Sequence, residues 1–202
     1  MEQQVLENLF DSTTKVRLLK LFLRNQDKYY HQAEIAKKVQ ASQGFIKKQI
    51  EGLWQINFLK KRIQRKQGKN LKPGIYYSVN PGFEFYQELR SLVLKSSPAS
   101  KDKILKKVMR LGRIKLLLLA GIFLNSDNNR VDLFIVGDFI NQKKLANFLR
   151  DLEAEVGKDI GFAVMNTKEF YYRYQMFDRF VHDIMEKPNE KLIDKLKMLP
   201  FS

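Results

Sequence analysis

Cysteine is absent from this chain. That excludes a disulfide scaffold, a thiolate zinc site and a cysteine nucleophile. Histidine is nearly absent, with only His31 and His182, so a histidine-rich metal centre is excluded too. Neither a metal nor a cofactor is expected. Long apolar runs are also missing. The longest, Leu116 to Leu124, falls well short of the roughly 20 residues that a membrane-spanning helix needs. The opening residues MEQQVLENLF have neither the basic start nor the apolar stretch of a secretory signal. A cytoplasmic protein without membrane association is the expectation, and 202 residues with 44% apolar content suffice for one or two globular domains.

Basic residues are plentiful. The formal net charge is +15, from 37 Lys/Arg against 22 Asp/Glu, and it is unevenly spread. Residues 1–95 hold 18 cations against 8 acids and residues 101–115 hold 7 against 1, whereas residues 116–202 hold 12 against 13. Such a gradient predicts that one part of the chain meets a polyanion while the rest serves another purpose. The small-residue stretch Ser96-Ser97-Pro98-Ala99-Ser100 reads as a boundary. The expected organisation is a domain over 1–95, a linker over 96–104 and a second domain over 105–202.

In the first half, Ser12 or Thr13 can cap a helix whose run KVRLLKLFLR puts Val16, Leu18, Leu19, Phe22 and Leu23 on one broad face. HQAEIAKKV predicts a short second helix with Ala33, Ile35, Ala36 and Val39 inward, and His31 is expected to be a capping or surface group. Gln40-Ala41 turns the chain. A third helix over 42–54 opens at Ser42, carries Ile46, Ile50 and Leu53 at helical spacing, and leaves Gln43, Gly44, Lys47, Lys48 and Glu51 towards solvent. Trp54 and Phe45 are expected in the core or packed under the wing. Two β-prone pieces, Leu59–Arg65 and Ile75–Val79, then flank a loop rich in Gly, Lys and Pro. Residues 60–72 hold seven Lys/Arg and no acid, a composition suited to lying along phosphates.

The segments TKVRLLKLF, HQAEIAKKV, SQGFIKKQIEGL and INFLKKRIQRKQGK, in this order, resemble the winged helix-turn-helix of ArsR-like transcriptional regulators over roughly residues 10–95. The resemblance implies a recognition helix over 42–54 in the DNA major groove and a basic wing over 60–75 on the backbone or minor groove. It thereby implies DNA-facing roles for Gln43, Gly44, Lys47 and Lys48, and for Arg62, Arg65, Lys66, Lys69 and Lys72. Asn80-Pro81 is expected to start another helix, with an apolar stripe of Phe83, Tyr86, Leu89, Leu92 and Val93. Homodimerisation is one use for that stripe; packing on its own domain is the other.

The second half reads as a small α/β domain, making the whole an α+β protein. Expected are a strand over Ile114–Phe123 approached through a basic segment, a turn, a strand over Val131–Gly137, a helix over Gln142–Val156 and a strand over Ile160–Met165. A long aromatic helix over Lys168–Met185 and a last helix after Pro188 follow. This order, with AGIFLNSDNNRVDLFIVGD at its heart, resembles the minimal nucleotidyltransferase fold. Active members place a Gly-Ser pair after the first strand and two Asp at i and i+2 on the second, the oxygen ligands that two-metal phosphoryl transfer needs. Here Gly121 is followed by Ile122, and Asp132 is preceded at i−2 by Arg130, whose charge opposes a metal. Loss of catalysis is expected, with Arg130 paired to Asp132 in the metal's place.

The sequence therefore predicts a sequence-specific, homodimeric regulator of transcription that binds double-stranded DNA. Its second domain is expected to be a pseudoenzyme serving dimerisation or a nucleotide or protein effector. A divergent nucleotidyltransferase positioned on nucleic acid or protein by its winged helix is the alternative. An RNA-binding or protein-interaction module is the third reading.

Overall fold

Helices and strands are interspersed along a chain that forms two compact units, Met1–Ser97 with Glu153–Lys158, and Pro98–Leu152 with Asp159–Ser202. The computed structural model describes residues 5–64, 73–96, 98–126 and 129–196. Among these residues, no helix is long and apolar enough to cross a membrane.

In the first unit, a short helix α1 (Val5–Leu9) precedes α2 (Thr13–Arg24). Ser12 ends the turn between them, its hydroxyl accepting from the Lys15 N–H at 3.2 Å, which satisfies one of the orphan donors of the first helical turn. The helix buries more than the one face its periodicity predicts: Val16 and every residue from Leu18 to Leu23 are buried. Lys20 is among them, and burial pushes its ammonium below the usual lysine range, with Arg24 and Arg17 adding to the shift and Glu7 and Glu155 opposing it. Asn25 closes the helix, its buried amide donating at 2.7 Å both to Leu21 C=O and to Gly157 C=O.

Strand β1 (Tyr30–His31) leads into α3 (Gln32–Val39), where His31 Nδ1 accepts from the Ala33 N–H. Gln40 then turns in the left-handed region at φ 57°. Next come α4 (Gln43–Gln55), strands β2 (Leu59–Gln64) and β3 (Gly74–Val79), and α5 (Tyr86–Lys95). The three strands form an antiparallel sheet in the order β1-β3-β2. Phe22, Ile35, Ile46, Ile50 and Phe58 lie at the centre of this unit's core.

Helix α5 starts five residues later than Asn80-Pro81 suggests. The Asn80 side chain is engaged in a turn, accepting from Gly82 N–H at 3.1 Å and donating to Asn57 C=O at 2.8 Å, so it caps no helix. Tyr86 and Val93 are buried in their own unit, which uses much of the apolar stripe, while Phe85 and Leu92 remain exposed.

The second unit opens with α6 (Lys101–Val108), capped by Ser100, so the stretch read as linker and basic approach already contains helix. Strands β4 (Arg113–Leu119), β5 (Leu133–Asp138) and β6 (Phe162–Met165) follow, with α7 (Gln142–Val156) between the last two. After them come α8 (Thr167–Gln175), α9 (Arg179–Glu186) and β7 (Glu190–Asp194). The sheet order is β6-β5-β4-β7, with β5 and β6 parallel and the other pairs antiparallel. Leu116–Leu119 and Leu133–Val136 are fully buried, as befits central strands covered on both faces.

Three expectations fail here. Strand β4 stops at Leu119 rather than at Phe123, because Gly121 at φ 50° starts a 3-10 turn over Gly121–Leu124. The long aromatic helix is two helices, broken where Phe177 takes φ 54° and Asp178 caps α9 through the N–H groups of Phe180 and Val181. The segment after Pro188 is a strand, not a helix, and β7 covers the edge of β4 that β5 leaves open.

Asp138, at the end of β5, ties that strand to α8: it accepts from Thr167 N–H at 3.0 Å and from Thr167 O–H at 2.7 Å. These bonds, assisted by Arg113 and Lys115, hold its carboxyl below the usual aspartate range. A folded pKa below the unfolded one adds stability above the ordinary aspartate range, lost as the pH falls through the folded value. Urea titrations at pH 7 and at pH 3 should therefore show Thr167→Val costing about 1 kcal/mol at the higher pH and less at the lower.

Candidate functional site

Two places in the chain hold the residues singled out from its sequence. The first is α4. Its Ser42 hydroxyl accepts from Phe45 N–H, and Ile46 and Ile50 anchor one face in the core. That anchoring turns Gln43, Gly44, Lys47 and Lys48 outward together, and all four are exposed. A Cβ built on Gly44 meets nothing within 4 Å, so its own fold does not demand a glycine there.

Phe45 departs from its expected place. It is 41% exposed, one residue before the buried Ile46, and joins Gln43 and Gly44 at the open end of the helix. Trp54 is half-buried against the core, and the Lys61 ammonium lies 3.4 Å above its ring. That contact brings β2 against α4. It also makes Lys61, a residue absent from the expected DNA-facing set, the strand cation on the α4 side.

Arg62 is exposed but stands elsewhere. Successive residues of a strand face opposite ways, and the Arg62 guanidinium lies 6.0 Å from the ring of Tyr29 on the other face of the sheet. The geometry therefore groups Gln43, Gly44, Lys47 and Lys48 but leaves Arg62 apart. Arg65, Lys66, Lys69 and Lys72 lie outside the described residues.

The second place surrounds Asp132, just before β5. Its Oδ1 accepts from Ile122 N–H at 2.8 Å and its Oδ2 from Gly161 N–H at 2.9 Å. Its own backbone N–H donates to Gly161 C=O at 2.7 Å, and its C=O accepts from Ala120 N–H at 2.8 Å. One residue thus joins the end of β4, the 3-10 turn and the approach to β6. Gly121 is required for this. A Cβ there would stand 2.1 Å from Asp132 Oδ1.

The expected Arg130–Asp132 pair does not form. Arg130 Nε instead donates to Asp183 of α9 at 2.6 Å, while the Asp132 carboxylate is turned to backbone N–H groups. Ile122 contributes through its N–H, which no sequence motif reveals. Glu169, flanking β6, is paired with Arg173 at 2.9 Å. Among the described residues no group of three or more His, Asp or Glu side chains gathers as a metal site would require. A divalent ion for phosphoryl transfer needs several oxygen ligands, and a lone carboxylate already accepting two N–H bonds does not fit it.

No protein-family model, curated protein or solved structure matches this chain.

Asp132→Ala strands the half-buried Ile122 N–H and leaves the exposed Gly161 N–H to water, and should cost about 1 kcal/mol; Gly121→Ala, which must also hold a left-handed backbone, should cost at least roughly as much. Denaturant unfolding measures both. Millimolar Mg²⁺ should leave the wild-type melting temperature unchanged, since a ligand that does not bind the native state does not stabilise it.

Proposed function

We propose that the first unit binds double-stranded DNA as a winged helix-turn-helix, that the chain acts as a homodimeric transcriptional regulator, and that the second unit is a non-catalytic relative of the minimal nucleotidyltransferases. One observation carries the DNA reading. Helix α4 turns two cations, an amide, a glycine and a phenyl ring outward from a single anchored face, at its N-terminal end. These are the side chains that suit a groove: lysines for phosphate or guanine, glutamine for adenine and an apolar ring for a thymine methyl. Lys61 extends the cationic character onto β2.

The non-catalytic reading draws support from Asp132, whose carboxylate serves the backbone, and from Arg130, which is bound to Asp183. The homodimer rests on less of α5 than its stripe suggests, since Tyr86 and Val93 are buried in their own unit.

Lys47→Ala with Lys48→Ala should weaken binding to every duplex and reduce the salt slope by about 1 for each phosphate no longer neutralised, and Gln43→Ala should relax preference at one base pair by roughly 1–3 kcal/mol. Fluorescence anisotropy with labelled duplexes at two salt concentrations reads both. Gly44→Ala separates fold from function: the added methyl should raise stability by about 0.5 kcal/mol through helix propensity and lower duplex affinity by standing off the DNA. Variants that bind duplexes as the wild type does would defeat the assignment.

A further inference from the structure

The second unit carries a cationic edge of its own, where β4 begins and β5 ends. Arg113 opens β4 in register with Asp138 at the end of β5. The chain around them is tightly joined: a Cβ on Gly112 would stand 2.8 Å from the carbonyl oxygens of both Asp138 and Phe139, and Asn141 N–H donates to Leu111 C=O at 2.9 Å. Asn141 then caps α7, its side-chain oxygen accepting from Lys144 N–H at 2.9 Å. These bonds gather Met109, Arg110, Arg113, Phe139, Lys143 and Lys144 at one end of the sheet, all six exposed.

Three locally unfavourable choices meet there. Phe139 is 82% exposed, a large ring left in water. It also holds φ 55°, a conformation that bulky side chains rarely adopt. The first turn of α7, where the helix dipole favours acids, carries Lys143 and Lys144 and no acid. Local conflicts of this kind concentrate where a surface serves a partner. The nearby carboxylate, Asp138, stays ionised and faces Arg113 in the strand register, so it offsets one of the four cations and leaves the edge net positive.

We propose that this edge is a nucleic-acid contact that takes an unpaired base. Its four cations would lie along phosphates, and Phe139, with the Arg113 guanidinium 5.2 Å from its ring centroid, would stack on the base. Single-strand binding surfaces combine these two elements, a basic track and an exposed ring. A lipid surface fits less well, since one Phe and one Met offer little apolar area for insertion. The proposal goes beyond duplex recognition by the first unit and does not depend on it.

The test uses the full chain and a labelled 20-mer of thymidine, with two variants chosen to keep the fold. Phe139→Asn removes the ring at a backbone conformation that Asn tolerates, and Lys143→Glu with Lys144→Glu suits the start of α7. Phe139→Asn should weaken oligonucleotide binding roughly five- to tenfold, and the charge reversal should weaken it and flatten its salt slope, with neither lowering the melting temperature. Photocrosslinking to a 5-iodouracil oligonucleotide reads the site directly: adduct on the peptide containing Phe139 is expected. Crosslinks confined to residues of the first unit would overturn the proposal. So would wild-type affinity in both variants, or variants that bind the oligonucleotide normally but lose phosphatidylserine vesicles.

Discussion

Cations crowded on one helix and its neighbouring strand repel one another, and along α4 and β2 five of them stand against the single carboxylate of Glu51. Lys47 and Lys48 stand outward on α4, and Lys60, Lys61 and Arg62 follow one another along β2. Aromatic rings supply further relief. Lys61 rests on Trp54 and Arg62 lies near Tyr29, interactions worth about 0.5–1 kcal/mol each at exposed sites. In the proposed complex, a polyanion would remove the remaining repulsion, with release of its condensed counterions as the driving term. The DNA reading of the first unit follows from that imbalance together with the anchoring of α4 by Ile46 and Ile50.

In the second unit a carboxylate works in the opposite way. Asp132 is spent on structure. By accepting from Ile122 and Gly161 while its own backbone spans to Ala120 and Gly161, it ties the end of β4, the 3-10 turn and the approach to β6 together. Gly121 fits that tie because a larger residue would overlap the carboxylate. The Gly121–Asp132 pair therefore has a structural role in this fold.

Local chemistry makes part of this legible in the sequence. Ser12, His31 and Ser42 each stand just before an apolar-periodic run, and each caps the helix that follows. The two β-prone pieces around residues 60–75 pair as an antiparallel hairpin for the same reason. Asn80 misleads because the side chain that caps a helix can equally close a turn. The break at Phe177 is hidden because an aromatic in the left-handed region gives no sign in sequence, although Asp178 offers a cap. Strand β7, with adjacent charges at Glu190 and Lys191 and adjacent apolar residues at Leu192 and Ile193, lacks a strand's alternation, and it pairs with the edge of β4. Arg130 finds Asp183 across 53 residues, a choice set by tertiary packing. That Trp54 can pack under the wing is legible, but that Lys61 is the cation over its ring is not, because the two lie on different elements.

The central claim is that α4 and the adjoining hairpin read duplex DNA, and selection from a random duplex library on the purified full-length chain, at two salt concentrations, tests it most directly. An enriched motif that persists at the higher salt is expected, arranged as an inverted repeat if two copies bind together. Uniform binding with no enriched motif, fading as salt rises, would contradict the claim and leave only an electrostatic surface.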